Sequence, residues 1–247
     1  MENKKTDMPL LSHLRELRTR LFRSLIILTI LAFVAFGYTP EILNLFQALF
    51  SDAFTTGTII GTKPAEAFTL RIKLAVIAAI LFGSPYYFGE LWFFLSPGLT
   101  EKERKLMLPF VISATGLFVG GAFFCYTAVL PIVYKFFADQ FLLLSLEPNI
   151  QISEHLAMSI KLVLCFALMF ELPVISWLLA RVGLLTYQFM KDTFRYTVVL
   201  IFIVAAVLTP PDVVSQLLMA APLLVLYLIS MLIVKYSEDS ALADQKT

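Results

Sequence analysis

The chain has 247 residues, 59% of them hydrophobic and 15% charged, where a soluble domain carries roughly a quarter charged residues. With 23 Phe and a mean hydropathy of +0.84, this composition excludes an ordinary water-soluble domain and makes the bilayer the main solvent. Nineteen Lys and Arg against 18 Asp and Glu leave a net charge of +1, which excludes a polybasic nucleic-acid binder and an acidic tail protein.

The first 20 residues are polar and basic, with no short apolar core followed by a small-residue cleavage site, so the first span is expected to be retained. Leu10, Leu14, Leu17 and Leu21 recur at helical spacing, with Arg15, Glu16 and Arg18 off that stripe. This predicts an amphipathic N-terminal helix lying at the interface before the first span. The arginines fit a positive-inside anchor. Glu16 has two readings: an i,i+4 partner of Arg20, worth roughly 0.3–0.5 kcal/mol, or a docking group for a cation.

Charge-free runs at 24–40, 74–89, 106–134, 162–180 (broken only by Glu171), 196–211 and 213–234 predict six transmembrane helices. The expected spans are about 22–40, 70–90, 106–134, 156–181, 194–209 and 212–234, in one all-α polytopic membrane domain over 1–247. The fifth run is short, ~24 Å at ~1.5 Å per residue against a ~30 Å hydrocarbon core. An even number of spans puts both termini on one side. Fourteen Lys and Arg fall on the side of the termini and five on the other, so the reading is N-in, C-in.

Two long outer connections result, about 41–70 and 136–154. The first contains Gly57-Thr-Ile-Ile-Gly61-Thr-Lys63, whose spacing is wrong for a phosphate loop and whose side of the membrane holds no expected ATP pool. The loop between the second and third spans carries Trp92, Phe93 and Phe94, then a Pro97-Gly98 turn. Thr100 and Glu103 match a capping box. Glu103 also stands beside an aromatic platform where an arginine could be held by charge and by ring faces.

Glu171 lies near the middle of its run, where an acid costs roughly 2.5–3.5 kcal/mol even on the lenient insertion scale. Pro173 frees a backbone carbonyl nearby and kinks the helix, so a structural role competes with a functional one. Thr209-Pro210-Pro211-Asp212 stops one helix and starts the next, with Asp212 as an N-cap. Gln216, one turn on, makes a second polar cluster in which capping and function are equally served. Cys125 and Cys165 form no C-x-x-C pair and read as small apolar side chains. His13 and His155 fall at opposite faces. No H-E-x-x-H, no G-x-S-x-G and, inside a span, no pair of carboxylates one helical turn apart occurs, so neither an enzyme nor a metal or cofactor site is expected.

Four motifs in order carry a resemblance: His13-Leu-x-Glu16-Leu-Arg18-x-Arg20-Leu21; Ser84-Pro85 followed by Trp92-x-Phe94-x-x-Pro97-Gly98-Leu99 and Glu103-Arg104; Phe170-Glu171-x-Pro173; and Thr209-Pro210-Pro211-Asp212-x-x-Ser215-Gln216. With six spans and an N-in orientation, the sequence resembles the TatC family, the multispanning receptor subunit of the twin-arginine protein translocase. The resemblance implies binding of twin-arginine signal peptides and export of folded proteins driven by the proton gradient. It implies a cytoplasmic patch of Glu16 and Glu103, assisted by Phe94 and Arg18. It further implies Glu171 as the polar residue of the inner face, and Asp212 with Gln216 as a contact region. TatA-type and TatB-type single-span subunits are the implied partners, with self-association in a multimeric receptor complex and no nucleic acid. The implied location is the bacterial cytoplasmic membrane.

Glu90 stands where the family usually has Gln, Thr100 where Tyr is common, and Ala48 where Pro is common. Two rival readings are a small proton-coupled transporter, against which the halves show no evident repeat, and a membrane scaffold for which Glu16 and Glu103 would be dispensable.

Overall fold

The computed structural model describes residues 7–54, 57–96, 104–208 and 212–244. The chain forms two compact units, one of Met1–Pro40 with Arg71–Thr115, the other of Glu41–Leu70 with Gly116–Thr247. It is an all-α fold with one small β-ribbon. In chain order the elements are α1 (Asp7–Phe36), α2 (Thr39–Ala53), β1 (Thr58–Ile60), α3 (Glu66–Leu95), α4 (Met107–Phe124), a π-helical turn (Cys125–Val129), α5 (Leu130–Leu143), β2 (Asn149–Gln151), α6 (Ile152–Met169), α7 (Leu172–Arg181), α8 (Tyr187–Leu208) and α9 (Val213–Asp244).

Among the described residues five stretches are long and apolar enough to cross a membrane: Ser12–Phe36, Glu66–Leu95, Met107–Leu143, Ile152–Arg181 and Val213–Glu238. Helix α8 is not among them, because its first half carries Lys191, Asp192 and Arg195. The short fifth run is therefore the apolar half of a longer helix. Thr186 starts that helix early, its hydroxyl accepting the Phe189 N–H at 3.2 Å as an N-cap, and 22 residues reach ~33 Å at ~1.5 Å each.

The N-terminal amphipathic segment and the first span are one uninterrupted helix of 30 residues. No proline or glycine falls between Leu10 and Phe36 to separate them. Helix α1 ends at the Gly37-Tyr38 turn, where Thr39 is fully buried and donates its hydroxyl to the Phe36 carbonyl at 2.9 Å.

The outer connections are more ordered than loops. Phe46, Phe50 and Phe54, one turn apart, are all buried, which gives α2 an apolar stripe. Ala48, exposed in the middle of α2, lets the helix run straight through a position where proline would remove an N–H. Strand β1 pairs in parallel with β2, Thr58 opposite Asn149 and Ile60 opposite Gln151. The turn into β1 needs Gly57, with φ 104°, since a Cβ there would lie 2.1 Å from the Pro148 carbonyl oxygen. The Gly57–Lys63 segment is thus half strand, half helix lead-in.

Helices α6 and α7 are two pieces of one apolar stretch, broken at Phe170-Glu171. Pro173 has no N–H to give, so the ladder tightens there: Glu171 N–H donates to the Leu168 carbonyl at 3.1 Å, and Ile175 N–H picks up the Glu171 carbonyl at 2.9 Å. In the same unit the core gathers fully buried Leu130, Val133, Leu156, Leu162, Phe166, Met219 and Leu223. Helix α9 packs along α7 and α8.

Candidate functional site

The acidic patch is built where α1 and α3 meet. Arg20, one turn after Glu16, reaches back to it with Nε at 3.1 Å and Nη2 at 2.5 Å from Oε1. The same guanidinium donates through Nη1 to Glu90 Oε2 at 2.8 Å. Glu90 Oε1 accepts the Tyr86 hydroxyl at 2.9 Å. The Phe93 ring lies 5.5 Å from the Arg20 guanidinium carbon, within cation–π range. His13 stacks on Phe94 with centroids 4.3 Å apart and sets Nδ1 3.7 Å from Glu16 Oε2.

The i,i+4 reading of Glu16 and its reading as a cation-docking group therefore meet at one carboxylate. Its Oε1 is taken by Arg20, and its Oε2 faces His13 at ion-pair distance only. The glutamate is one-third exposed, Arg20 one-fifth and Glu90 one-eighth. These are charge-assisted contacts partly out of water, stronger than free surface pairs. Arg18 is exposed on α1. Glu103, Pro97, Gly98 and Thr100 lie outside the described residues. Arg104 Nε donates to the Ser96 carbonyl at 3.0 Å, and buried Trp92 packs on Phe110 with centroids 4.8 Å apart.

Glu171 is 4% exposed, and its Oε1 has no hydrogen-bond partner among the described residues. It sits as the first residue before α7. The wall nearby is close-packed: a Cβ on Gly121 would come within 2.7 Å of the Phe166 carbonyl oxygen and 2.8 Å of Phe170. The Phe124 ring stacks obliquely over Phe170 at 5.5 Å.

Asp212 and Gln216 do different jobs. Asp212 Oδ1 accepts the Ser215 N–H at 2.7 Å, an N-cap for α9, while its Oδ2 is buried with no hydrogen-bond partner among the described residues. Gln216 sends Nε2 to the Phe202 carbonyl at 2.9 Å, tying α9 to α8. Thr209, Pro210 and Pro211 lie outside the described residues.

Two polar residues matter structurally without standing out in the sequence. Arg71 donates Nε to Thr39 Oγ1 at 2.9 Å and Nη2 to the Phe36 carbonyl at 3.2 Å, its guanidinium carbon 4.2 Å from the centroid of the Phe36 ring. It thereby closes the end of α1. Glu66 takes the N–H groups of Thr62 at 2.7 Å and Lys63 at 3.1 Å on Oε2, and that of Ser153 at 3.1 Å on Oε1. The acid in the first turn after Pro64 is a helix-start signal; its grip on Ser153 has no local signature.

The long apolar helices define a multi-pass α-helical membrane protein. The family model described as Sec-independent protein translocase protein (TatC) matches residues 12–222. The protein of that name from Helicobacter pylori strain J99 is 39% identical over 227 residues, covering 90% of this chain and 87% of its own length. That from Carboxydothermus hydrogenoformans is 34% identical over 247 residues, the whole of both chains. A crystal structure of the twin-arginine translocase receptor TatC superposes with a TM-score of 0.84 at 31% identity, covering 92% of this chain and 99% of that one. The chain belongs to the TatC family and has that family's core role in the twin-arginine translocation system.

Proposed function

We propose that this chain is the receptor that binds twin-arginine signal peptides of folded proteins and, with TatA-type and TatB-type single-span subunits, exports them using the proton-motive force. The observation that supports it most is the α1–α3 patch, where carboxylates and aromatic rings already hold a guanidinium, that of Arg20, in a partly desolvated setting. A site that suits one guanidinium suits another, and lysine lacks the planar fork that bridges two carboxylates. Glu16, Arg18, Phe94 and Glu103 form the peptide-binding residues in this reading. Glu171, Asp212 and Gln216 form the intramembrane and partner-contact set, and copies of the chain associate in the receptor complex.

The proposed topology is six spans in one polytopic domain with both termini in the cytoplasm, α8 making the fifth span with its charged first half at the cytoplasmic surface. The 14-to-5 distribution of Lys and Arg supports it.

Site-specific crosslinking of a signal peptide in membranes tests the reading. A twin-arginine peptide is expected to crosslink near Phe94 and a twin-lysine peptide not; equal crosslinking by both overturns it. Glu16→Ala and Glu103→Ala are expected to block export while the protein still inserts, and normal export in the double variant would remove both from the site.

A further inference from the structure

The patch holds more carboxylate than the peptide-binding set named above requires. Glu90, in α3 and 70 positions from Arg20 in the sequence, takes Arg20 Nη1 at 2.8 Å, while Glu16 takes Nε and Nη2. Two carboxylates therefore share one resident guanidinium, and the hydrogen-bonded set keeps one negative charge. Tyr86 steadies Glu90 from the other side at 2.9 Å. The open valence lies on Glu16 Oε2, which among the described residues faces His13 at 3.7 Å. Arg15 and Arg23, exposed on the same helix, line the same surface hollow as Glu16 and oppose any incoming arginine. Without the charge of Glu90 the hydrogen-bonded set of Glu16 and Arg20 would be neutral within that basic field, and its share of the attraction for a guanidinium would be lost.

We infer that Glu90 and Arg20 together set the arginine affinity of this chain's patch: Arg20 is a resident guanidinium that positions Glu16, and Glu90 supplies the charge excess that takes one arginine of the incoming peptide. The inference rests on the receptor reading and adds two residues to it, of opposite effect. A purely structural Arg20–Glu90 bridge would give a different pattern, since breaking it from either end loosens the same contact between α1 and α3.

The experiment measures binding of a fluorescent twin-arginine signal peptide to the full-length protein in nanodiscs, across a salt series, with a twin-lysine peptide as control. Glu90→Gln keeps the shape, its carbonyl oxygen accepting from Arg20 while its amide N–H donates to the Tyr86 hydroxyl oxygen in the reverse of the native direction, but removes the charge; it is expected to weaken binding about fivefold and to flatten the salt dependence. Arg20→Gln is expected to tighten binding by a similar factor, and the double variant, with the native net charge of the set, to return near the native value. Glu90→Gln at native affinity, or equal weakening by both single variants, overturns the inference. If Arg20→Gln does not accumulate, the affinity and salt slope of Glu90→Gln decide alone. A native protein that binds both peptides equally overturns the receptor reading itself, a result separate from either of these.

Discussion

At the scale of single residues, one carboxylate can order three backbone donors. Glu66 collects N–H groups from its own lead-in and from the start of α6, and it is 8% exposed. Its removal leaves three partly buried N–H donors without this acceptor, and an unmet donor is costly in proportion to how far it is kept from water. Glu66→Ala is expected to lower stability, read as a drop in thermal unfolding temperature in detergent, with Glu66→Gln recovering part of it. Residues of this kind are hard to see in a sequence. The Glu16–Arg20 pair was legible because a helix puts i and i+4 on one face. Glu90 was visible only as an extra acid, and Arg71 only as a basic residue on the sparsely charged side. Their partners lie in other helices, and the spacing that reveals a neighbour along one helix says nothing of a neighbour across two.

Helices were legible where lipid demands an apolar side chain and illegible where it does not. Among the described residues the charge-free runs lie mostly on α1, on α3, on α4 with the π-helical turn and the start of α5, on α6 with α7, on α8 and on α9, yet α8 and α9 continue into charged turns that a hydropathy window cuts off. Helix α2 lay within an expected loop, although Phe46, Phe50 and Phe54 carry its period; a span count passes over any helix too short to cross. The break at Glu171 was foreseeable from Pro173, while the tight approach of α4 to α6 at Gly121 was not, since a glycine in an apolar run has several uses. That approach has a direct test. Gly121→Ala puts a methyl against a carbonyl oxygen and an aromatic side chain and is expected to cost about 1–3 kcal/mol, the range for overpacking, seen as earlier thermal unfolding and reduced export. Unchanged unfolding would mean that the two helices separate easily there.

For the whole molecule the distribution of basic residues makes a prediction that no single helix does. With Cys125 and Cys165 replaced by serine, single cysteines at exposed Lys63 and Glu147 are expected to react with a membrane-impermeant thiol reagent in intact spheroplasts, and those at exposed Arg15 and Lys235 only after the membrane is opened. The reverse pattern would overturn the N-in, C-in topology. The β-ribbon adds a constraint in time. Thr58 and Asn149 are 91 positions apart, so at ~5–20 residues per second the ribosome spends about 5–20 s between making one strand and making its partner. Throughout that interval the first strand is an unpaired edge, and the ribbon closes only after the whole segment between the two strands has been made. Its closure therefore waits until more than half of the chain exists, so the ribbon ties an early segment to a later one instead of forming as a local hairpin.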